Sequence, residues 1–269
     1  MTFGAPPRVL IVAGSDSGGG AGIQGDIKTV SALGGYAATA ITAITVQDTK
    51  RVYDVTPISA EIVQRQMQVV LADIGADAVK TGMIGDEATV AAVAEAYRTS
   101  AGAAPLVVDP VMVATSGDAL AREGVGEALH THLIPLATIV TPNIPEAEAL
   151  TDGRIHSVNG MIEAGRSLLA LGPSAVLVKG GHLPGETITD VLVEQGRSTP
   201  SLFQDARIEN RNTHGTGCAL ASAIATELGR GCSIGDAIET ARAFVRRAIA
   251  AGPGFGEGAG PLGHGAASP

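Results

Sequence analysis

The chain has 269 residues, enough to bury a large core and near the length at which one core stops growing. Eighteen Lys and Arg stand against 27 Asp and Glu, a net charge of −9 with no basic run, which argues against a nucleic-acid or anionic-membrane surface yet leaves room for a local phosphate site. The apolar content comes in short runs of Ala, Val, Ile and Leu, none long enough to span a bilayer, and the opening MTFGAPPRVL lacks the regions of a signal peptide. Cys218 and Cys232 make no disulfide framework and the histidines show no zinc spacing, so the expected compartment is the cytoplasm.

In chain order, RVLIVAG predicts a first strand that runs into the loop SDSGGGAGIQGD. Gly20 to Gly25 spells the dinucleotide fingerprint G-x-G-x-x-G, but its first glycine lies well past the strand end near Gly14. No ribose-binding acid closes the next strand either, since AATAITAIT leads to Gln47 before Asp48 is reached. SAEIVQRQMQVVLADI predicts a helix capped by Ser59, DAVKTGM a strand, and DEATVAAVAEAYRTS a helix capped by Asp86. PLVVDPVM, ATIVTPN and AVLVKGG continue the alternation of βα units, the pattern of a parallel sheet covered by helices on both faces. Ile188 to Ile208 breaks it with two β-like runs around Gln195 and Gly196, an antiparallel hairpin at one sheet edge. Two helices follow, GTGCALASAIATELGRG and SIGDAIETARAFVRRAIAAG. Residues from about 254 to 269 are Gly- and Pro-rich and are expected to form a flexible tail. The expectation is one domain over residues 1–269, without repeats or a linker.

Open α/β sheets bind ligands at the carboxyl ends of their strands, which here are Gly14 to Asp16, Gln47, Met83, Asp109, Asn143 and Lys179. The strongest signal lies elsewhere, in Asn212-Thr213-His214-Gly215-Thr216-Gly217-Cys218. Gly215 and Gly217 before a long Ala-rich helix turn several N–H groups toward one point, where the helix dipole adds its positive end: an anion hole for a phosphoryl group. The plainer alternative is an ordinary helix start capped by Thr216. Cys218 lies in the first turn, where a thiol pKa can fall and a bound polyphosphate would push it back up; it reads as a base or hydrogen-bonding group facing the substrate hydroxyl, or else as a small buried apolar residue, the reading given to Cys232. Lys179 closes an apolar strand and needs a phosphate or a carboxylate as partner. Asp109, with Asn143 and Glu146, is placed to hold magnesium directly or through water, although Glu146 alone would read as a first-turn charge of a helix starting at Pro145.

AGSDSGGGAGIQGDIKT, TAITVQDT, VKTGMIG, VVDPVMVATSG, TPNIPEAEAL, VLVKGGH and THGTGCALASAIA run in order from Ala13 to Ala225. Together they resemble the hydroxymethylpyrimidine/phosphomethylpyrimidine kinases of thiamine biosynthesis, a branch of the ribokinase-like superfamily. The resemblance implies a ribokinase-like three-layer α/β fold, a central mostly parallel sheet flanked by helices. It also implies two transfers from ATP, first to the hydroxymethyl group of 4-amino-5-hydroxymethyl-2-methylpyrimidine and then to the monophosphate. By the same resemblance Gly215, Thr216 and Gly217 form the anion hole beside Cys218 and the acceptor oxygen, Lys179 neutralises the transferring phosphate, and Asp109, Asn143 and Glu146 organise Mg2+ and nucleotide. Gln47 would hydrogen-bond the pyrimidine, Gly14, Ala21, Asp26, Met83 and Val111 would complete its pocket, and SDSGGGAGIQGD would cover the ring. A cytoplasmic homodimer without nucleic-acid or membrane partners is implied as well.

The wider superfamily commonly carries an aspartate where this chain has Cys218, which argues against a sugar kinase and leaves the general base open. A loose phosphoryl-transfer transition state asks more for positioning and charge neutralisation than for a strong base. The nearest rival is a pyridoxal, pyridoxine or pyridoxamine kinase of vitamin B6 salvage, against which the Gly-rich loop with Gln47 favours an aminopyrimidine. A nucleotide-binding protein without turnover has no need for metal and anion sites kept together.

Overall fold

The inner strands of this chain are mostly apolar on both faces, so a sheet built from them must be covered on both sides. A computed structural model, which describes residues 5–112, 118, 120 and 122–267, has this arrangement. The strands are β1 (Arg8–Ser15), β2 (Tyr36–Gln47), β3 (Val52–Pro57), β4 (Ala78–Thr81), β5 (Leu106–Val108), β6 (Ile139–Val140), β7 (Ala175–Val178), β8 (Thr187–Glu194) and β9 (Ser201–Ala206). The helices are α1 (Gly22–Ala32), α2 (Ala60–Asp73), α3 (Glu87–Ser100), α4 (Val125–Ala128), α5 (Ile144–Thr151), α6 (Val158–Leu169), α7 (Thr216–Gly229) and α8 (Ile234–Ala250). The strands form one sheet in the order β3-β2-β1-β4-β5-β6-β7-β8-β9, parallel from β2 to β7 and antiparallel at both edges.

Alternate residues of β1 serve different layers. Leu10 and Val12 join the core beneath α2, α3, α5 and α6, while Val9, Ile11 and Ala13 join the core beneath α1, α7 and α8. Helix α7 is buried from Ala219 to Leu228, which explains why its sequence is apolar nearly all round; α8, amphipathic, packs over it.

Ser59 and Asp86 cap α2 and α3 through the amides of Ile62 and Thr89, as their positions predict. The β8–β9 hairpin lies at one sheet edge as expected. Strand β3 was not foreseen, because its residues are mostly exposed and lack an apolar alternation. The Gly-rich loop is also shorter than expected, since α1 already begins at Gly22.

The segment expected to be a flexible tail is packed as far as Ala267. Leu262, His264 and Ala267 are buried against α1 and α8, and Lys50 pairs with Glu257 at 2.6 Å. Its glycines serve close backbone approach: a Cβ at Gly258 would stand 2.0 Å from the Thr49 carbonyl oxygen, and one at Gly263 2.2 Å from that of Ala251. Residues 113–117 of the VVDPVMVATSG motif lie outside the described residues.

Candidate active site

Strand order reverses about β1, whose chain continues to β2 on one side while β4 lies on the other, and at such a point the loops diverge and leave a crevice. A cavity of about 850 Å³ opens there, along the carboxyl edge of the sheet. Every residue assigned to the site from sequence borders it except Asp26. Gly14, Ala21, Gln47, Met83 and Val111 lie toward the β1, β2 and β4 side; Asn143, Glu146 and Lys179 follow β6 and β7.

On that second side, Lys179 Nζ donates to Asp109 Oδ1 at 2.8 Å and stands 3.9 Å from Glu146 Oε2. Of the two partners expected for Lys179, the carboxylate is the one seen: Asp109 holds the ammonium at a cavity wall. Burial would lower the Lys179 pKa, but Asp109 and Glu146 outweigh it and the ammonium stays charged. Asn143 and Glu146 form a reciprocal capping box at the start of α5, Asn143 Oδ1 accepting from the Glu146 amide at 2.9 Å and Glu146 Oε2 from the Asn143 amide at 2.8 Å. Burial, with Asp109 nearby, pushes the Glu146 carboxyl up to about 7.

Asp109 Oδ1 also accepts from Thr141 Oγ1 at 3.2 Å, whereas Oδ2 is buried without a hydrogen-bond partner. A buried carboxylate oxygen left open in this way suits a cation. Among the described residues no group of three or more Asp, Glu, His or Cys side chains forms a metal cage. Mg2+ held by one or two carboxylates and by nucleotide phosphates needs no such cage, so Asp109 and Glu146 fit it.

Opposite, Gly215 caps α7 with φ of +83° and Thr216, Gly217 and Cys218 form the first turn of a fourteen-residue helix; the Thr216 amide donates to the Thr213 carbonyl at 3.3 Å, and the amides of Gly217 and Cys218 lie at the cavity end of the helix. A Cβ on Gly217 would stand 3.1 Å from Lys179 Nζ, so the ammonium lies against the start of the helix. Burial pushes the Cys218 thiol up to about 12, Asp26 and Asp109 add to this, and Lys80 and the Gly22 amide offset only part. Desolvation outweighs the helix dipole, and the group is a thiol at neutral pH.

Asp26 is the correction to the expected pocket. It is fully buried outside the cavity, accepting from Lys80 Nζ at 2.8 Å and from Ser222 Oγ at 2.7 Å, and so joins α1, β4 and α7. The sequence reads as loop here, but Asp26 is the fifth residue of α1, and the helix turns its side chain away from the cavity into the core. The neighbouring acid Asp16 holds the loop instead, accepting from the amides of Gly18, Gly20 and Ala21 and from His214 Nε2.

Comparison with known proteins agrees with this arrangement. The phosphomethylpyrimidine kinase family model matches residues 16–263, and a hydroxymethylpyrimidine/phosphomethylpyrimidine kinase of Rhizobium meliloti is 47% identical over 258 residues, 95% of this chain and 96% of the relative. The chain belongs to the phosphomethylpyrimidine kinase family. Among solved structures, pyridoxal kinase from Staphylococcus aureus in complex with AMP-PCP and pyridoxal superposes with a TM-score of 0.89 at 36% identity, covering 98% of this chain and 95% of that one. Phosphomethylpyrimidine kinase from Clostridium difficile gives 0.79 at 41% identity, covering 90% and 99%. These neighbours carry the ribokinase-like fold expected from the sequence motifs.

In this member of the phosphomethylpyrimidine kinase family, the structure adds cavity residues that sequence reading passed over. Asp190 accepts from the Gly180 amide at 2.8 Å and from Arg242, whose other arm reaches Asp205 at 2.6 Å, so the turn after Lys179 is anchored to α8 and β9. For Lys80 a signal exists, since a lysine inside an otherwise apolar four-residue strand needs a buried partner. For Asp16, His214 and the Arg242 pair the signal is weak, since each partner lies far along the chain.

Proposed function

We infer that the chain catalyses ATP-dependent phosphorylation of 4-amino-5-hydroxymethyl-2-methylpyrimidine to its monophosphate and then of the monophosphate to the diphosphate, for thiamine diphosphate synthesis. The observation that carries a kinase is the Lys179–Asp109 pair set against the first turn of α7, with one Asp109 oxygen open to a cation. The pyrimidine acceptor rests on the family match and on the names of relatives such as that of Rhizobium meliloti.

In this reading the amides of Gly215 to Cys218 and the Lys179 ammonium neutralise charge on the phosphoryl group as it leaves ADP and bonds to the acceptor oxygen. Asn143, through the capping box, holds Glu146 beside Lys179 and the nucleotide phosphates. Asp109 and Glu146, together with those phosphates, would hold Mg2+, which would supply further charge neutralisation. Cys218 enters as a thiol that holds the acceptor by a hydrogen bond, and the hydroxyl proton leaves late, as a loose transition state permits. Gly14, Ala21, Gln47, Met83 and Val111 take the pyrimidine ring, with Asp26 supporting from below. We also assign the chain to one kinase domain acting as a cytoplasmic homodimer; among the described residues no helix is long and apolar enough to cross a membrane.

A second reading, pyridoxal kinase, is favoured by the superposition on the Staphylococcus aureus enzyme. Purified protein incubated with Mg-ATP and either the pyrimidine alcohol or pyridoxal, with products identified by mass, separates the two. Pyrimidine monophosphate followed by diphosphate is the expected result; phosphate on pyridoxal alone overturns it.

A further inference from the structure

The glycine-rich loop after β1 and the anion-hole turn before α7 are separated by almost the whole chain, yet one carboxylate fastens them together. Asp16 is 3% exposed. Its Oδ1 accepts from the Gly18 amide at 2.8 Å, and its Oδ2 accepts from the amides of Gly20 and Ala21 at 3.1 and 2.8 Å. The same Oδ2 meets His214 Nε2 at 2.9 Å, across 198 positions of sequence. Burial would raise the Asp16 pKa, but His214 and these amides hold it below the ordinary carboxylate value. An ionised carboxylate only accepts, so the His214 proton sits on Nε2.

Contact between the two segments is as close as backbone permits. A Cβ on Gly215 would stand 2.1 Å from the Gly20 carbonyl oxygen, and one on Gly20 2.3 Å from His214 Cδ2. On its far side His214 is held by its own amide, which donates to the Gly260 carbonyl at 3.1 Å. His214 thus immediately precedes the residue whose left-handed backbone starts the anion hole. Asp16 meanwhile sets the curve of the loop that ends at Gly22 and α1.

We propose that Asp16 and His214 are positioning residues that couple the acceptor loop, residues 16–21, to the phosphate turn, residues 213–217, so that acceptor oxygen and transferring phosphate are aligned together. This rests on the kinase reading above and deepens it. The pair touches neither reacting group. Its contribution is alignment, and a displacement of about 1 Å at the reacting centre costs on the order of a hundredfold in rate.

Two measurements on the full chain test it. The first is steady-state kinetics with the pyrimidine alcohol and Mg-ATP. His214→Ala is expected to lower kcat by about tenfold to a hundredfold. It should leave the KM for ATP within about threefold and increase ATP hydrolysis relative to transfer, because a misaligned acceptor is replaced by water. His214→Gln, which keeps an N–H donor, should recover most of the coupling, and Asp16→Asn, which puts an NH2 donor in place of one of the two accepting oxygens, should not. The second is hydrogen exchange with AMP-PCP. In the wild type, protection at 213–217 should extend to 16–21; in His214→Ala it should stop at 213–217. A wild type that transfers no phosphate to the pyrimidine sinks the functional reading, and the exchange result still judges the coupling. Protection of 16–21 that survives His214→Ala, or an equal loss of kcat in the Ala and Gln variants, overturns the proposal.

Discussion

Two buried lysine–aspartate pairs lie below the same sheet edge, both at 2.8 Å, and their surroundings differ. In Lys80–Asp26 neither side chain has any exposure, and Ser222 takes the second aspartate oxygen, so the pair is closed. In Lys179–Asp109 the lysine is 13% exposed at the cavity, a second carboxylate stands 3.9 Å away, and the other Asp109 oxygen has no partner. In the closed pair both carboxylate oxygens are taken, and although Lys80 borders the cavity, the pair joins α1, β4 and α7. An open pair keeps unsatisfied capacity, which a buried site retains only when something else completes it.

The largest expected effect separates the pairs by stability. Lys80→Met leaves Asp26 buried and unpaired and should cost about 3–5 kcal/mol, read from urea denaturation, while adding Asp26→Leu should recover much of it. Lys179→Met should act the other way, lowering kcat by about a hundredfold to a thousandfold with a smaller shift in the denaturation midpoint. If both variants lost stability equally and kept equal activity, the distinction would fail.

Glu146 sharpens the comparison through pH. Its carboxyl is raised to about 7, so it is neutral below that value and ionised above it. The Mg2+ concentration needed for half-maximal rate should therefore fall as pH rises toward 7, by up to about tenfold per unit, and Glu146→Gln should remove the trend. For stability the sign is opposite. Between 4.5 and about 7 the folded chain holds a proton that the unfolded chain has released, so this group's contribution falls as pH rises through that window.

The smallest effects come from matched glycines. A Cβ at Gly82 would stand 3.0 Å from Lys80 Nζ, and one at Gly217 3.1 Å from Lys179 Nζ. Gly82→Ala should cost about 1 kcal/mol of stability by overpacking. Gly217→Ala, at a helical position, should leave stability unchanged or higher and lower kcat about threefold by displacing the ammonium.

Much of the fold was legible because its signals are local. Apolar β-branched runs gave the inner strands, Ser59 and Asp86 gave two caps, and Gln195-Gly196 gave the edge hairpin. Strand β3 escaped because its exposed residues carry no burial pattern, and the packed tail because glycine composition looks the same in a disordered segment and in one that approaches other backbone closely. In the site, nearly every residue named from the strand ends and the Gly-Thr-Gly-Cys helix start borders the cavity. Asp26 was misplaced because its helix phase was read as loop. The Asp16–His214 contact and the Arg242 network join distant segments, and no local pattern encodes them. The state of the Cys218 thiol stays open in sequence because helix position is visible there and desolvation is not.

The central claim is that chemistry belongs to the open pair and folding to the closed one. The most direct test is turnover of the pyrimidine alcohol per folded molecule in Lys179→Met and Lys80→Met, side by side at a temperature where circular dichroism finds both folded. The account predicts a loss of at least about a hundredfold for Lys179→Met and less than about tenfold for Lys80→Met. Equal losses, or the larger loss in Lys80→Met, would contradict it.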